Sequence, residues 1–380
     1  MKDSIQTAPS QSPGSERPIH WAREARWAAS GGNAQPWRVV ISPQTLSGRI
    51  SIQLRIDPAY SAAPSPMDVD ARAAVVALGC YSVYLESYAA QDGFTLTKSV
   101  VRPGASSWDV EVSLEFEPIH EHSVAKSYST SALAARWTDR REYTPQPCAP
   151  ELKARMSSIV SRYPEVQEIS IAAKRELLIR TCQGLEILRW RNRRFRDALF
   201  DEIDFSRGES PDSDRKIPAS QLGVGGMDLW LLRAMHRFPR LRKILELGGA
   251  ELIASKTVGP LFRASSGISF LQTRTDSEDG AFELGRCFQE LWLTINDYGY
   301  SFQPIGLPLI AYSFWRGDPH GFRSSRRHTR IVERASQELK SEFCLDLQKL
   351  ALGFRFGETK FPRDRALSVG PRADVQVEIN

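Results

Sequence analysis

The stretch ARWAASGGNAQPWRVVI, residues 25–41, places small residues, two amides and an aromatic ring between an amphipathic segment and a strand. The small residues 30–32 allow the main chain to come close to a flat or anionic ligand. Asn33 and Gln35 offer hydrogen-bond donors and acceptors to such a ligand. On residue types alone, a capped helix followed by a turn, with Trp37 filling the core, is the simpler interpretation.

The composition is that of an ordinary soluble globular protein. Of the 380 residues, 41% are hydrophobic and 25% are charged, which is enough for one large core or two fused ones. No apolar run approaches the roughly 18 residues that a membrane span needs, and the N-terminus lacks the apolar core of a secretory signal. Residues 1–16 predict a disordered polar tail. These features predict a cytoplasmic protein with no membrane partner.

The charge and the cysteines exclude several function classes. The net charge of +5 comes from arginines, clustered in RWRNRRFRDALF (189–200) and RSSRRHTR (323–330). No nucleic-acid-binding motif accompanies them, so we predict solvated helix faces and no nucleic-acid partner. The five cysteines are scattered and odd in number, which argues against a zinc site or a disulfide framework. His120 and His122 have no third partner for a metal, so no metal site is predicted.

Two further motifs are missing. GVGGMD (223–228) does not fit the GxGxxG pattern of dinucleotide-binding loops and follows no predicted strand. No GxSxG nucleophile motif is present, so a catalytic triad is not indicated.

The first third of the chain predicts a helix, two strands forming a hairpin, a Pro-rich loop, a long helix and two more strands. These elements are predicted at residues 21–29, 37–42, 49–56, 57–70, 71–93, 94–101 and 109–118.

The remainder predicts more helix and several late strands. Residues 165–230 are helix-rich, and AFELGRCFQELWLTINDYGY (281–300) has the apolar spacing of an amphipathic helix. GISFLQTRTD (267–276), PLIAYSFWRG (308–317) and KLALGFRFG (349–357) predict strands. This mixture of helices and mainly antiparallel strands indicates an α+β protein.

The segment AASGGNAQPW, residues 28–37, resembles the flavin-side signature of the FMN-dependent nitroreductase family, Ala-Pro-Ser-Ser-x-Asn-Ser-Gln-Pro-Trp. The departures from that signature are at Ala29, Gly31 and Ala34. They remove a proline and two hydroxyls, which weakens the detailed contacts but not the placement.

Three more segments resemble the same family, in the family's order along the chain. RWTDRREY (136–143) is similar to Arg-x-Ser-x-Lys/Arg-x-x-Phe, whose Arg, hydroxyl and cation hold the FMN phosphate. NDYGYSFQPIGLPL (296–309) is similar to the segment ending in Pro-Ile-Glu-Gly, whose backbone N–H faces the flavin N5; Leu307 stands where the family has Gly. PRDRALSV (362–369) is similar to the C-terminal Lys/Arg-x-Arg phosphate contact. The resemblance implies a cofactor site formed by Ser30, Gly31, Asn33, Gln35, Trp37, Arg136, Thr138, Arg140, Pro304, Ile305, Gly306, Arg363 and Arg365.

The chemistry of FMN agrees with these residue types. Its phosphate carries close to two negative charges, which arginines pair with bidentately. A backbone donor aimed at N5 stabilises the charge that develops there on reduction.

Each family segment occurs once in this chain, whereas conventional nitroreductases are homodimers whose flavin sites use both subunits. The chain therefore resembles the subgroup in which two nitroreductase-like halves, each with a mainly antiparallel sheet, are fused into an intrachain pseudo-dimer. We expect the halves at residues 17–118 and 130–380, joined by a linker at 119–129. One complete FMN site and one degenerate site follow. A monomer would suffice for flavin binding, and a homodimer stays open.

The implied activity is hydride transfer from NADPH, NADH or an organic donor through bound FMN to a small organic acceptor. The flavin carries this chemistry, so no catalytic side chain is predicted. Two alternatives stay open. One is a flavin-dependent dehydrogenase or oxidase that tailors a specific metabolite. The other is a flavin-holding protein whose loops cover the ring, with the polar loop at 206–218 as the lid.

Overall fold

The computed structural model describes residues 16–42, 48–119, 128–206, 214–319, 321, 323, 325–359 and 372–379. The predicted tail, apart from Glu16, and residues 120–127 of the predicted linker lie outside these ranges. The strands are Trp37–Ser42 (β1), Ile50–Ile56 (β2), Phe94–Pro103 (β3), Val110–Pro118 (β4), Tyr143–Thr144 (β5), Val166–Ser170 (β6), Ile203–Asp204 (β7), Ile217–Pro218 (β8), Gly267–Thr273 (β9), Ser301–Ile305 (β10), Ala351–Thr359 (β11) and Val377–Ile379 (β12).

Helices are interspersed with these strands, which pair mainly antiparallel, so the protein is α+β as the sequence predicts. They are Glu16–Ala25 (α1), Pro58–Ala62 (α2), Arg72–Gln91 (α3), Thr130–Ala134 (α4), Pro150–Val160 (α5), Arg175–Arg191 (α6), Arg193–Asp201 (α7), Gly226–Arg237 (α8), Gly249–Thr257 (α9), Gly259–Arg263 (α10), Glu278–Asp297 (α11), Leu307–Trp315 (α12) and Arg326–Phe343 (α13).

The first sheet contains the predicted hairpin and has the strand order β12-β1-β2-β4-β3. Alternate residues of β2 point inward, since Ile50, Ile52, Leu54 and Ile56 are buried. The pairs β1–β2, β2–β4 and β3–β4 are antiparallel. The last described strand, β12, pairs in parallel with β1, so the C-terminal segment completes the sheet built by the first third of the chain.

The second sheet has the order β10-β11-β9-β6, with β5 on the end of β11. Its pairs β6–β9, β9–β11 and β10–β11 are also antiparallel. The two sheets share a core of four strands with the same spatial order, β1-β2-β4-β3 in the first and β6-β9-β11-β10 in the second. In each core a helix of 20 residues, α3 or α11, lies in the chain between the first two strands and the last two. This shared connectivity is compatible with the two related halves that the family resemblance implies.

The two long helices cross at a pair of glycines. A Cβ atom on Gly79 of α3 would lie 2.2 Å from the carbonyl oxygen of Phe282 in α11. A Cβ atom on Gly285 of α11 would lie 2.0 Å from the carbonyl oxygen of Val76 in α3. The main chains of the helices are thus in direct contact. The largest hydrophobic cluster surrounds this crossing and includes side chains of both sheets.

Helix α3 is nearly enclosed by the rest of the protein. By length and composition it is the one described helix that could cross a membrane, which the sequence analysis did not anticipate. However, 83% of its most apolar window is buried inside the protein. It is capped by Asp68, whose carboxylate accepts the N–H groups of Ala73 and Ala74 at 2.7 and 3.0 Å. We therefore interpret α3 as a core helix, compatible with a soluble protein.

Several predicted elements differ from the observed ones. The strand predicted at 308–317 is wrong, because this stretch forms helix α12. The first helix begins at Glu16 and ends at Ala25, so it stops well before the glycine pair. The predicted Pro-rich loop contains the short helix α2, capped by Asp57. The strands predicted at 37–42, 267–276 and 349–357 and the helices predicted at 71–93 and 281–300 are confirmed to within a few residues.

The crossing of α3 and α11 gives a stability prediction. Gly79→Ala places a methyl group against a backbone carbonyl that has no rotamer to move, so we expect the free energy of unfolding to fall by about 1–3 kcal/mol, as in overpacked cores. The measurement is a urea titration followed by circular dichroism.

The matched control is Gly184→Ala in α6. Among the described residues its Cβ atom would have one heavy atom within 4 Å, Cγ2 of Ile331 at 3.3 Å, which needs to shift by only a few tenths of an ångström. We expect no loss of stability here, and a gain of up to about 1 kcal/mol from helix propensity. Equal effects of the two substitutions would show that the helices do not meet at Gly79.

Candidate functional site

The segment between α1 and β1 adopts an unusual backbone conformation. Residues 31–33 form a single 3₁₀ turn. Gly32, Asn33 and Gln35 have φ angles of 58°, 63° and 50°, in the left-handed region. The turn is closed by the Oγ of Ser30, which accepts the N–H of Gln35 at 3.1 Å. Left-handed backbone at non-glycine residues costs about 1–2 kcal/mol each, and such conformations cluster at functional sites.

The two amide side chains of this segment hold the main chain of a loop. Nδ2 of Asn33 donates to the carbonyls of Asp214 and Lys216 at 3.4 and 3.3 Å. Nε2 of Gln35 donates to the carbonyl of Asp214 at 2.7 Å. Arg215 forms an ion pair with the buried Asp57 at 3.2 Å, which fixes the same loop to the start of α2. The described end of the predicted lid, residues 214–218, therefore lies directly on the AASGGNAQPW segment.

We call the first sheet with α3 the first unit, and the second sheet with α11 the second unit. Arg136 joins the AASGGNAQPW segment to the second unit. Its Nε and Nη2 both donate to the carbonyl of Trp27, at 3.1 and 2.8 Å. Its guanidinium group lies 4.7 Å from the ring centroid of Trp292 in α11. The same segment is held by Gln289 of α11, whose Oε1 accepts the N–H of Ala29 at 3.0 Å.

A second arginine, Arg372, reaches the same place from the C-terminal segment. Its guanidinium group lies 5.8 Å from the ring centroid of Trp27. The next residue, Ala373, donates its N–H to Oε1 of Gln35 at 3.0 Å. Burial lowers the pKa of Arg372 to about 9, the positive charge of Arg136 acts in the same direction, and Tyr84 opposes them. Two like charges are thus close together where water is largely excluded.

Arg140 lies against another part of the loop region. Its Nη1 donates to the carbonyl of Gln221 at 3.0 Å. A Cβ atom on Gly223, which has a φ of 70°, would lie 3.0 Å from Cβ of Arg140. Burial lowers the pKa of Arg140 to about 10, and Arg189 lowers it as well.

Glu202, which no sequence motif indicates, places a carboxyl group at the glycine turn. A Cβ atom on Gly32 would lie 2.6 Å from Cδ of Glu202. The hydroxyl of Ser65 donates to Oε1 of Glu202 at 3.2 Å. Burial raises the pKa of Glu202, while Arg189 lowers it. Nothing in the local sequence marks this residue, since its proximity to Gly32 arises only in the folded chain.

Gly306 lies near the same turn through the loop that contains Ser65. A Cβ atom on Gly306 would lie 3.4 Å from Cε of Met67. Gly306 precedes α12, and Pro304 and Ile305 end β10, where they pair with β11. The loop at residues 65–67 therefore touches both the Gly32–Glu202 contact and the start of α12.

The predicted site residues are partly brought together. Ser30, Asn33 and Gln35 lie close to Arg136 and to the C-terminal segment, as described above. Trp37 is buried with its ring centroid 4.9 Å from that of Tyr81, as expected for a core residue. Thr138 is half-buried. Arg363 and Arg365 lie outside the described residues.

No group of three or more His, Cys, Asp or Glu residues that could hold a metal ion is found within the described ranges. His120, Glu121 and His122 lie outside them. No family model matches this chain, and no curated protein matches its sequence.

The glycine turn provides a test of the local geometry. Gly32→Ala should lower the free energy of unfolding by about 1–2 kcal/mol from the left-handed backbone alone, and further because the methyl group meets Glu202. The double variant Gly32→Ala/Glu202→Ala should regain only the part due to that collision. Thermal and urea unfolding of the variants measures both parts.

Gly31→Ala is the control, because its Cβ would have no heavy atom of the described chain within 4 Å. We expect its effect to stay within about 0.5 kcal/mol. A Gly32→Ala variant as stable as Gly31→Ala would contradict the turn geometry.

Proposed function

We propose that this protein is an FMN-dependent oxidoreductase of the nitroreductase type, which transfers a hydride between a nicotinamide or organic donor and a small organic acceptor. The observation that carries the proposal is the convergence of Arg136 and Arg372 on Trp27, the first at its carbonyl and the second near its ring, while Gln35 accepts the N–H of the residue after Arg372. These residues come from three distant parts of the chain. They meet at the segment whose sequence resembles the family's flavin signature.

The arginine pair fits a phosphate group. Arg136 and Arg372 repel each other, and the repulsion is little screened because water is largely excluded. A phosphate with nearly two negative charges would offset this repulsion and accept charged hydrogen bonds from both groups. Arg372 thus takes the part that the sequence resemblance gave to a C-terminal arginine.

The flavin ring would lie near Gly306. This residue is at the N-terminus of α12, where the first main-chain N–H groups of a helix have no acceptor within the helix. Asn33 and Gln35, however, are engaged with the main chain of residues 214–216. For their amides to reach a flavin, this loop would have to move. When bound, FMN would supply the hydride chemistry, and the protein residues would bind and orient it.

The shared connectivity of the two sheets supports an intrachain pseudo-dimer. Helices α3 and α11 occupy equivalent places in the two units and cross at Gly79 and Gly285. The arginine site lies between the units, because Arg136 follows the first unit and contacts Trp292 of the second unit's long helix. We therefore propose one complete flavin site within a single chain.

The closed loop favours a second candidate, a flavin-holding protein with little turnover. Residues 214–216 cover Asn33 and Gln35 and are held by the Arg215–Asp57 ion pair. In that case the loop excludes nicotinamide and acceptor from the ring.

The cofactor prediction is tested by flavin titration. The purified chain should carry about one FMN per polypeptide, and Arg136→Ala or Arg372→Ala should weaken FMN binding by about 1.5–3 kcal/mol, the scale of a charged hydrogen bond. Riboflavin, which lacks the phosphate, should be affected much less. Fluorescence quenching with both flavins measures this difference.

Arg334→Ala is the control, because Arg334 is exposed and pairs only with Glu338 on α13 among the described residues. Equal losses for FMN and riboflavin would assign the two arginines a structural role. No bound flavin after expression with added flavin would contradict the proposed function, and two FMN per chain would contradict the single site.

Anaerobic mixing with NADPH or NADH separates the two candidates. In an oxidoreductase the bound flavin should be reduced rapidly, seen as loss of its absorbance soon after mixing. In a flavin-holding protein the covered flavin should be reduced slowly. In the second case Arg215→Ala should speed reduction, because it releases the loop from Asp57. Arg55→Ala, which removes an exposed ion pair with Glu111 in the first sheet, should leave the rate unchanged. Fast reduction of the unmodified protein would contradict the flavin-holding candidate.

A further inference from the structure

Residues 226–257 form a helical projection that consists of α8, a 3₁₀ helix at Pro239–Leu245 and α9. Its inner side packs on α6 and α7 through a separate hydrophobic cluster, formed by Trp190, Phe200, Met235, Leu245 and Ala250. Arg242 also points inward, where it donates to Asp197 at 2.7 Å and lies 4.2 Å from the ring centroid of Phe200. The projection is therefore firmly attached along one side.

The outer side of the projection is apolar and exposed. Within the described residues, seven of the nine exposed large hydrophobic side chains belong to it: Met227, Trp230, Phe238, Leu241, Ile244, Leu247 and Leu252. Trp230 is 62% exposed and Leu247 is 87% exposed. Exposed apolar side chains concentrated in one place mark interaction surfaces.

These side chains are aligned by helix geometry. Met227 and Trp230 are three residues apart on α8 and share a face. In a 3₁₀ helix, residues three apart lie directly above one another. Leu241 and Ile244 are therefore stacked. The exposed apolar side chains thus include two aligned pairs, one on α8 and one on the 3₁₀ helix that follows it.

A row of cations accompanies the apolar side chains. Arg237, Arg240 and Lys243 are exposed, and the guanidinium group of Arg237 lies 5.7 Å from the ring centroid of Phe238. Arg240 and Lys243 are again three residues apart on the 3₁₀ helix. The nearby acids are neutralised by other partners, with Asp228 on Lys256, Glu246 on Arg196, and Glu251 on Arg191. The outer side thus carries positive charge together with exposed aromatic and aliphatic groups.

We propose that this outer side binds the surface of an anionic phospholipid bilayer. The aromatic and leucine side chains insert at the level of the headgroups, and the row of arginine and lysine pairs with lipid phosphates. A twofold contact with a second copy would bring the two rows of cations together, which disfavours self-association. The contact is peripheral, because none of the helices described at residues 226–257 is long and apolar enough to cross a bilayer.

The proposed membrane contact departs from the sequence-based prediction of no membrane partner, which rested on the lack of a spanning segment. It does not depend on the proposed flavin chemistry. Its failure would leave the arginine site untouched, and loss of flavin binding would leave the surface untouched.

The experiment is co-sedimentation of the full chain with phosphatidylcholine vesicles that contain or lack phosphatidylglycerol. We expect binding to the anionic vesicles and little binding to the neutral ones, with strong weakening at high salt. Arg237→Gln/Arg240→Gln/Lys243→Gln should reduce partitioning by about fivefold per cation removed. Trp230→Ser/Leu247→Ser should reduce it at least tenfold while leaving the unfolding temperature unchanged, because both side chains are exposed.

Two control variants carry equivalent changes elsewhere. Arg49→Gln/Arg55→Gln/Lys98→Gln removes three exposed cations of the first sheet, and Tyr298→Ser removes an exposed aromatic residue at the end of α11. Both should bind anionic vesicles like the unmodified protein. The proposal is overturned if anionic vesicles do not sediment the protein, or if the control variants lose binding as much as the projection variants do. It is also overturned if the projection variants abolish self-association of the protein and not vesicle binding.

Discussion

The contact of main chain with main chain where α3 crosses α11 is the constraint on which the rest of the structure depends. Gly79 and Gly285 allow an approach that any side chain would prevent. The approach places α11 close enough for Gln289 to accept the N–H of Ala29, and for Trp292 to lie beneath Arg136. The AASGGNAQPW segment therefore owes its position to helix α11, about 260 residues away in sequence.

The sequence predicted those elements whose two sides differ. Strand β2 alternates buried and accessible residues, and α11 has a clear apolar face, so both were found near their true bounds. Helix α12 was taken for a strand because Leu307–Phe314 is buried on all sides, which removes the helical period from the pattern. The remaining local signal was Pro308 in the first turn, a position that suits a helix start. Two related halves are expected only from the family resemblance, because the connectivity that the two sheets share is not accompanied by similar residues.

The candidate site was predictable only where a short motif carries it. Ser30, Asn33, Gln35 and Arg136 have the spacing of a family signature, and the fold places them close together; their role as a cofactor site stays a prediction. No such motif surrounds Arg372. It lies near Trp27 because the C-terminal strand β12 returns to pair with β1. Glu202 is likewise an ordinary acidic residue of a helix end in the sequence. It becomes notable because Gly32, which has no side chain, leaves room for it.

A short stretch of main chain, residues 221–226, joins the surroundings of Arg140 to the projection. Arg140 donates to the carbonyl of Gln221, and the left-handed turn at Gly223 packs on its Cβ atom, only three residues before α8 begins. The other end of the same loop region carries Asp214 and Lys216, which bind Gln35 and Asn33. The projection is held on α6 and α7 by the hydrophobic cluster that it shares with Trp190 and Phe200. The contact with Arg140 and the attachment to α6 and α7 therefore fix the C-terminal end of the loop region whose other end covers the two amides.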